Sequence, residues 1–219
     1  MPAAVIFDND GLTLDTEHTW TRAESALYAR YGVHFTLDHK REMLGTSGTK
    51  SALLMEGHLG QPGRGRELQH ELRALVHDEL DGAGVSPMPG ARELIAALGE
   101  RGIPLGLATN SGREFATRAL RGAGLLERFD AVVSAEDVAR PKPAPDVYLA
   151  AAAALGAGPR ECVALEDSET GVAAARAAGM TVVGVPSFPG IDLADADLVA
   201  SSLADPEVWA LLGLERSVP

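Results

Sequence analysis

Residues 4–11 read Ala4-Val5-Ile6-Phe7-Asp8-Asn9-Asp10-Gly11. Four apolar residues without alternation suit a short strand buried on both faces of a parallel sheet. Asp8 stands at its carboxyl end, where open α/β sheets bind ligands. Side chains two apart on an extended chain point the same way, so Asp8 and Asp10 can share one site. Two carboxylates that close repel unless a cation or a proton intervenes. Mg²⁺ suits such a pair, because it prefers hard oxygen ligands and keeps waters. An ordinary Asp-Gly turn after a strand would use the same residues, so the stretch gains its meaning from what lies further along the chain.

Four further β-like runs follow, at 104–108, 131–134, 162–165 and 181–185. Helical patterns lie between them at 91–101, 113–122, 146–155 and 169–178. Gly102, Gly124, Gly156 and Gly179 stand where those helices should stop. Alternating strand and helix predicts an α/β fold, a Rossmann-like parallel sheet with helices on both faces. From about Thr16 to Gly84 no strand candidate of similar quality occurs. Trp20, Ala23, Leu27 and Tyr31 fall on one helical face, and Leu68, Leu72, Leu75, Val76 and Leu80 on another. The pattern predicts a catalytic core from residues 1–15 and 86–219, interrupted by an all-helical insert at 16–85. Gly and Pro in 81–90 suit a hinge.

Three more elements fall at predicted strand ends. Thr109-Asn110-Ser111-Gly112 ends one strand and opens a helix, where a hydroxyl and amide N–H groups can cradle an anion. Helix capping would use the same residue types. Lys142 lies between Pro141 and Pro143 in a stiff loop before a helix. A solvated surface lysine has no need of that rigidity, whereas one that neutralises a phosphate does. Glu166 and Asp167 end the strand at 162–165 and can complete a cation site, or else, with Ser168, cap the next helix.

The bulk properties narrow the partners. The chain has 219 residues, an apolar fraction of 46% and a net charge of −12. That charge excludes nucleic acid and an anionic membrane surface as natural partners, while a local pocket can still take a small anion. No apolar run approaches the length needed to span a bilayer, and the N-terminus lacks the basic and apolar regions of a signal peptide. The single cysteine, Cys162, permits no disulfide within the chain and fits a cytoplasmic protein. A monomer or small homo-oligomer is expected.

The order and wording of these elements resemble the haloacid dehalogenase-like hydrolase superfamily, in its subgroup with a helical cap after the first strand. Asp8–Glu17 (DNDGLTLDTE), TNSG, RPKPAPD and LEDSETG carry the resemblance, which covers nearly the whole chain. The resemblance implies that Asp8 attacks phosphorus and that Asp10 protonates the leaving oxygen, then activates water. It implies Mg²⁺ held by Asp8, the main-chain carbonyl of Asp10, and Asp167, with Glu166 helping. It implies phosphoryl oxygens bound by Thr109 and Lys142, with Asn110 near.

Within that superfamily, Asp10 favours oxygen–phosphorus chemistry over carbon–halogen or phosphonate cleavage. β-Phosphoglucomutase-like members usually carry a histidine twelve positions beyond the nucleophile, where this chain has Trp20. They also carry an arginine in a Gly-x-Ser-Arg setting, where this chain has Gly45-Thr46-Ser47-Gly48. The expectation is therefore a phosphatase acting on a small phosphorylated metabolite, such as a sugar phosphate or a phosphoglycolate-like monoester. A sugar-phosphate mutase is the alternative, and an inactive Mg²⁺-phosphate binding module the second. His18, Thr46 and Lys50 are the candidate substrate contacts in the cap.

Overall fold

The computed structural model describes residues 1–43, 48–82, 84–188 and 190–215. Two compact units are present, one made of Met1–Asp15 with Val85–Pro219, the other of Thr16–Gly84.

The first unit is built on a six-stranded parallel sheet. Its strands are β1 (Ala4–Phe7), β2 (Leu105–Thr109), β3 (Ala131–Ser134), β4 (Cys162–Glu166), β5 (Thr181–Gly184) and β6 (Leu198–Val199), in spatial order β3-β2-β1-β4-β5-β6. The apolar β1 lies between β2 and β4 and is buried along its whole length. Phe7 is level with Leu107 on one side and Leu165 on the other. That register brings Asp8, Thr109 and Glu166 to the same rim, at the point where the strand order reverses. Helices α5 (Ala91–Glu100), α6 (Arg113–Gly122), α7 (Asp146–Ala154) and α8 (Glu169–Ala177) connect the strands, and α9 (Pro206–Leu211) closes the unit. Val147, Tyr148, Ala151, Val172 and Ala175 from α7 and α8 share a core with Ala4, Ile6, Ala164 and Val182. Small alanines let these helices approach the sheet closely.

Strand ends differ slightly from expectation. The second strand starts at Leu105 because Pro104 has no N–H to give a ladder, and Leu105 N–H is taken by the Asp130 carboxylate. The two-residue β6 carries too short a pattern to read. The segments linking the units pair with each other: Asp15 N–H donates to Ser86 O, and Met88 N–H to Thr13 O.

In the described part of Thr16–Gly84 all regular structure is helical: α1 (Glu17–Arg30), α2 (Leu37–Met43), α3 (Gly48–Leu59) and α4 (Gly65–Gly82). The α4 stripe is buried at Leu68, Leu72, Leu75, Val76 and Leu80. The α1 stripe is rotated from the expected one. It buries Thr19, Ala23, Glu24, Leu27 and Tyr28, while Trp20 and Tyr31 stay half-exposed. Polar residues on the inward face hid this, since Glu24 is buried only with Lys40 bridging it to Glu17 at 2.8 and 2.7 Å. Tyr28 also anchors a ring cluster: its hydroxyl meets His58 Nδ1 at 2.7 Å, and His58 Nε2 meets Glu42 at 2.9 Å.

Candidate active site

Asp8 follows β1 and is buried. Its Oδ1 accepts from Lys142 Nζ at 2.5 Å. The same ammonium donates to Glu166 Oε1 at 2.6 Å and to Ala108 O at 2.8 Å. An ammonium has three donors, so these three acceptors fix its place. Lys142 reaches them from the loop ahead of α7, where its peptide bond to Pro143 is cis. Asn110 holds that loop by both ends of its carboxamide, accepting from Lys142 N–H at 2.9 Å and donating to Lys142 O at 3.1 Å. The Asn110 side chain thus holds the Lys142 peptide.

Asp10 lies one step further out. Ser111 Oγ donates to its Oδ2 at 2.7 Å, and Thr109 Oγ1 does so at 3.3 Å. Thr109 Oγ1 also accepts Ser111 N–H at 2.9 Å. The Thr109–Ser111 turn thus serves Asp10 instead of capping α6, whose N-cap, Gly112, makes no side-chain cap bond. Ser168 does cap α8, accepting from Gly171 N–H at 3.1 Å.

Glu166 is surrounded by donors. Its Oε2 accepts from Asp167 N–H, Ser168 N–H and Ser168 Oγ at 3.0, 3.3 and 3.1 Å. Its Oε1 takes the Tyr148 hydroxyl at 2.6 Å besides Lys142. Two glycines make room for these carboxylates. A Cβ on Gly171 would collide with the Glu166 carboxylate, and one on Gly11, whose φ is +78°, with Asp167 Oδ2. Any side chain at either position would displace an acidic group.

Asp8, Glu166 and Asp167 each offer a carboxylate oxygen, and these lie within 4.8 Å of one another. Among the described residues no other group of three or more such side chains could hold a metal ion. Burial raises the Asp8 carboxyl well above the ordinary aspartate value; Lys142 opposes this, while Glu166, Asp167 and Asp10 add to it. Burial likewise lifts Asp167 to about 7, with Glu166 the next cause. Burial alone would lower Lys142, but Asp8 and Glu166 overcome it and hold the ammonium charged. With all three carboxylates ionised, the one ammonium leaves two negative charges uncompensated. An all-oxygen set with that deficit fits a hard divalent cation.

The structure therefore brings Asp8, Asp10, Thr109, Asn110, Lys142, Glu166 and Asp167 together at one rim of the sheet. His18 and Lys50 are exposed residues of α1 and α3 in the helical unit. Thr46 lies outside the described residues. Tyr148 and the Asp10-binding role of Ser111 were not anticipated. The available signal for Tyr148 was one hydroxyl-bearing aromatic six residues past Lys142, in the first turn of the helix that the Lys142 loop leads into.

A site of this kind belongs to a carboxylate-based hydrolase. Residues 2–179 match the family described as haloacid dehalogenase-like hydrolase. The chain belongs to that family. It is 36% identical over 218 residues to hexitol phosphatase B of Escherichia coli (strain K12), covering 96% of each chain. It is 34% identical over 226 residues to (DL)-glycerol-3-phosphatase 2 of Arabidopsis thaliana, covering 97% of this chain and 93% of that protein. Among solved structures, CbbY from Rhodobacter sphaeroides in complex with phosphate matches with a TM-score of 0.82 and 29% identity, over 94% of this chain and 96% of that one. A putative β-phosphoglucomutase from Thermotoga maritima matches with a TM-score of 0.81 and 28% identity, over 96% and 98%.

Proposed function

We propose that this chain is a Mg²⁺-dependent phosphatase that hydrolyses a small phosphate monoester, of the sugar or polyol phosphate class, through an aspartyl phosphate on Asp8. The carrying observation is the buried Asp8 carboxylate, oriented by Lys142 and followed two residues later by an Asp10 that Ser111 holds. Relatives named as hexitol and glycerol-3-phosphate phosphatases support the substrate class.

Asp8 attacks phosphorus, and the bond to the leaving oxygen breaks as Asp10 supplies its proton. Asp10, now a carboxylate, takes a proton from water as that water attacks the aspartyl phosphate, releasing phosphate and restoring Asp8. Lys142 fixes the orientation of the Asp8 carboxylate and keeps a positive charge beside the transferring group. Thr109 contributes its hydroxyl beside Asp10, and Asn110 holds the Lys142 loop. Asp8, the Asp10 main-chain carbonyl and Asp167 would hold the Mg²⁺, with Glu166 beside them; the ion neutralises the anionic phosphoryl group when bound.

Among the described residues no helix is long and apolar enough to cross a membrane. We place the protein in the cytoplasm, as a monomer or small homo-oligomer acting on a small metabolite. Its single buried cysteine supports a reducing compartment.

The sugar-phosphate mutase reading draws on the likeness to the Thermotoga maritima structure. Trp20 and Gly48 weigh against it. The test supplies hexitol phosphates, glycerol 3-phosphate, and β-glucose 1-phosphate with a trace of the 1,6-bisphosphate, following free phosphate and glucose 6-phosphate together. Phosphate release is expected. Rapid glucose 6-phosphate formation with little phosphate would transfer the assignment to the mutase, and no turnover of any ester would leave the binding module.

A further inference from the structure

We propose that Tyr148 is a positioning residue for phosphoryl transfer, acting through Glu166 to hold the Lys142 ammonium against the Asp8 nucleophile. The proposal rests on the phosphatase reading for its kinetic consequence, and on geometry alone for the placement of Lys142.

Lys142 has no spare donor. One of its acceptors, Ala108 O, is backbone of β2, and a second, Asp8 Oδ1, is on the short side chain of the residue that directly follows β1. The third, Glu166 Oε1, sits on a side chain with rotatable bonds and needs fixing of its own. Its far oxygen, Oε2, is pinned by the first turn of α8 through Asp167 N–H and the Ser168 backbone and hydroxyl. Its near oxygen, Oε1, faces Lys142 and also accepts from the Tyr148 hydroxyl. The tyrosine thus defines where along its arc the near oxygen rests. The Tyr148 ring also faces the ammonium, with Nζ 5.0 Å from its centroid.

Tyr148 has no exposed surface, so it is too deep to touch a substrate and must act through its neighbours. Its burial keeps the phenol well above its ordinary value and therefore a hydroxyl donor. A plain core residue would need only the ring. A phenylalanine fills that space, keeps the ring beside the ammonium, and removes one O–H. Without that O–H, Lys142 is the donor that remains to Oε1 among the described residues, and the carboxylate and ammonium draw together, away from Asp8. Substrate binding loses little, while the charge arrangement in the transition state is displaced.

The experiment compares the full-length wild type with Tyr148→Phe by two readouts. The first is Mg²⁺-supported hydrolysis of para-nitrophenyl phosphate. A fall in kcat of about tenfold is expected, with KM within about twofold and an unchanged melting temperature. The second is the ¹³Cε resonance of Lys142 in protein labelled at its three lysines, assigned with Lys40→Arg and Lys50→Arg. Because the ring is retained, a moved resonance reports displacement of the ammonium. An unmoved Lys142 resonance overturns the proposal whatever the kinetics. Wild-type kcat in the variant, or a loss of kcat that only follows a lowered melting temperature, also overturns it. Absence of hydrolysis by the wild type would sink the phosphatase reading instead, and the resonance would still decide where Tyr148 places Lys142.

Discussion

The sheet unit and the helical unit handle charge in opposite ways. At the rim of the sheet, Asp8, Glu166, Asp167 and Lys142 are all buried, and each is tied to strand ends or to the first turn of a helix. In the helical unit most pairs are solvated, such as Arg22 with Glu79 and Arg64 with Glu67. Its one buried carboxylate among the described residues, Glu24, is neutralised by Lys40 from a neighbouring helix. Exposed pairs of that kind contribute little stability. The difference teaches where functional constraint sits: the sheet concentrates like charge at a cost in stability, which a structural role alone would not explain, while the helices spread it.

The largest expected effect tests the concentrated side. Asp8→Asn should lower turnover by on the order of 10⁴-fold or more, because the amide keeps the shape and loses the nucleophile. Asp10→Asn should cost about 10²–10⁴-fold, since it removes the proton donor and base but leaves the attacking group. Steady-state kinetics on one aryl phosphate measures both, and equal modest losses would break the assignment of roles.

Metal removal comes next. Thorough chelation should abolish turnover, Mg²⁺ should restore it, and Ca²⁺ should not, because its looser shell misplaces the nucleophile. The pH dependence has a definite sign. With Asp167 raised to about 7, a bound proton competes with the ion below that pH. Apparent metal affinity should therefore climb with pH toward about 7, by up to about tenfold per unit, and then level off. In the metal-free protein the raised value has the opposite consequence for stability. The unfolded chain binds fewer protons at Asp167, so stability falls as pH rises from the ordinary aspartate range toward about 7. Metal titrations and melts across that range check both signs.

Smaller effects probe the helical unit. Lys40→Met leaves Glu24 buried without its cation, and should cost about 1–3 kcal/mol of stability. Turnover of a small aryl phosphate should stay within about twofold of wild type. A large loss of kcat with an unchanged melting temperature would erase the contrast between the units. The smallest effect concerns Asn9, whose buried side-chain amide finds no partner among the described residues. Asn9→Leu should raise stability by about 1 kcal/mol, read as a higher melting temperature.

The sheet was legible because each of its first five strands is a mostly apolar run without alternation, and the reactive residues sit directly at the ends of those runs. Lys142 stood out by its flanking prolines. Tyr148 did not, because Val147, Leu149 and the following alanines make it read as ordinary helix core, and its target Glu166 lies on a different element, the strand β4. No periodicity links two such positions. Ser111 could be read as a cap because a serine before a helix usually is one, and only the fold shows its hydroxyl on Asp10. In the helical unit α2 and α3 escaped because α2 is short and charged and α3 carries Gly48 and Gly57. The substrate-side residues are hardest to read, since an exposed His18 or Lys50 has the same sequence signature whether or not it meets a ligand.

The immersion of Lys142 has a practical consequence for surface chemistry. Only three lysines occur in the chain, and the ammonium of Lys142 is shielded with all three protons engaged. Lys40 is bridged between two glutamates, and Lys50 is exposed. Amine-directed reagents at mild pH should therefore modify Lys50 and the N-terminus first, so the folded enzyme can carry a dye or a tether on its helical unit while the reactive rim goes untouched.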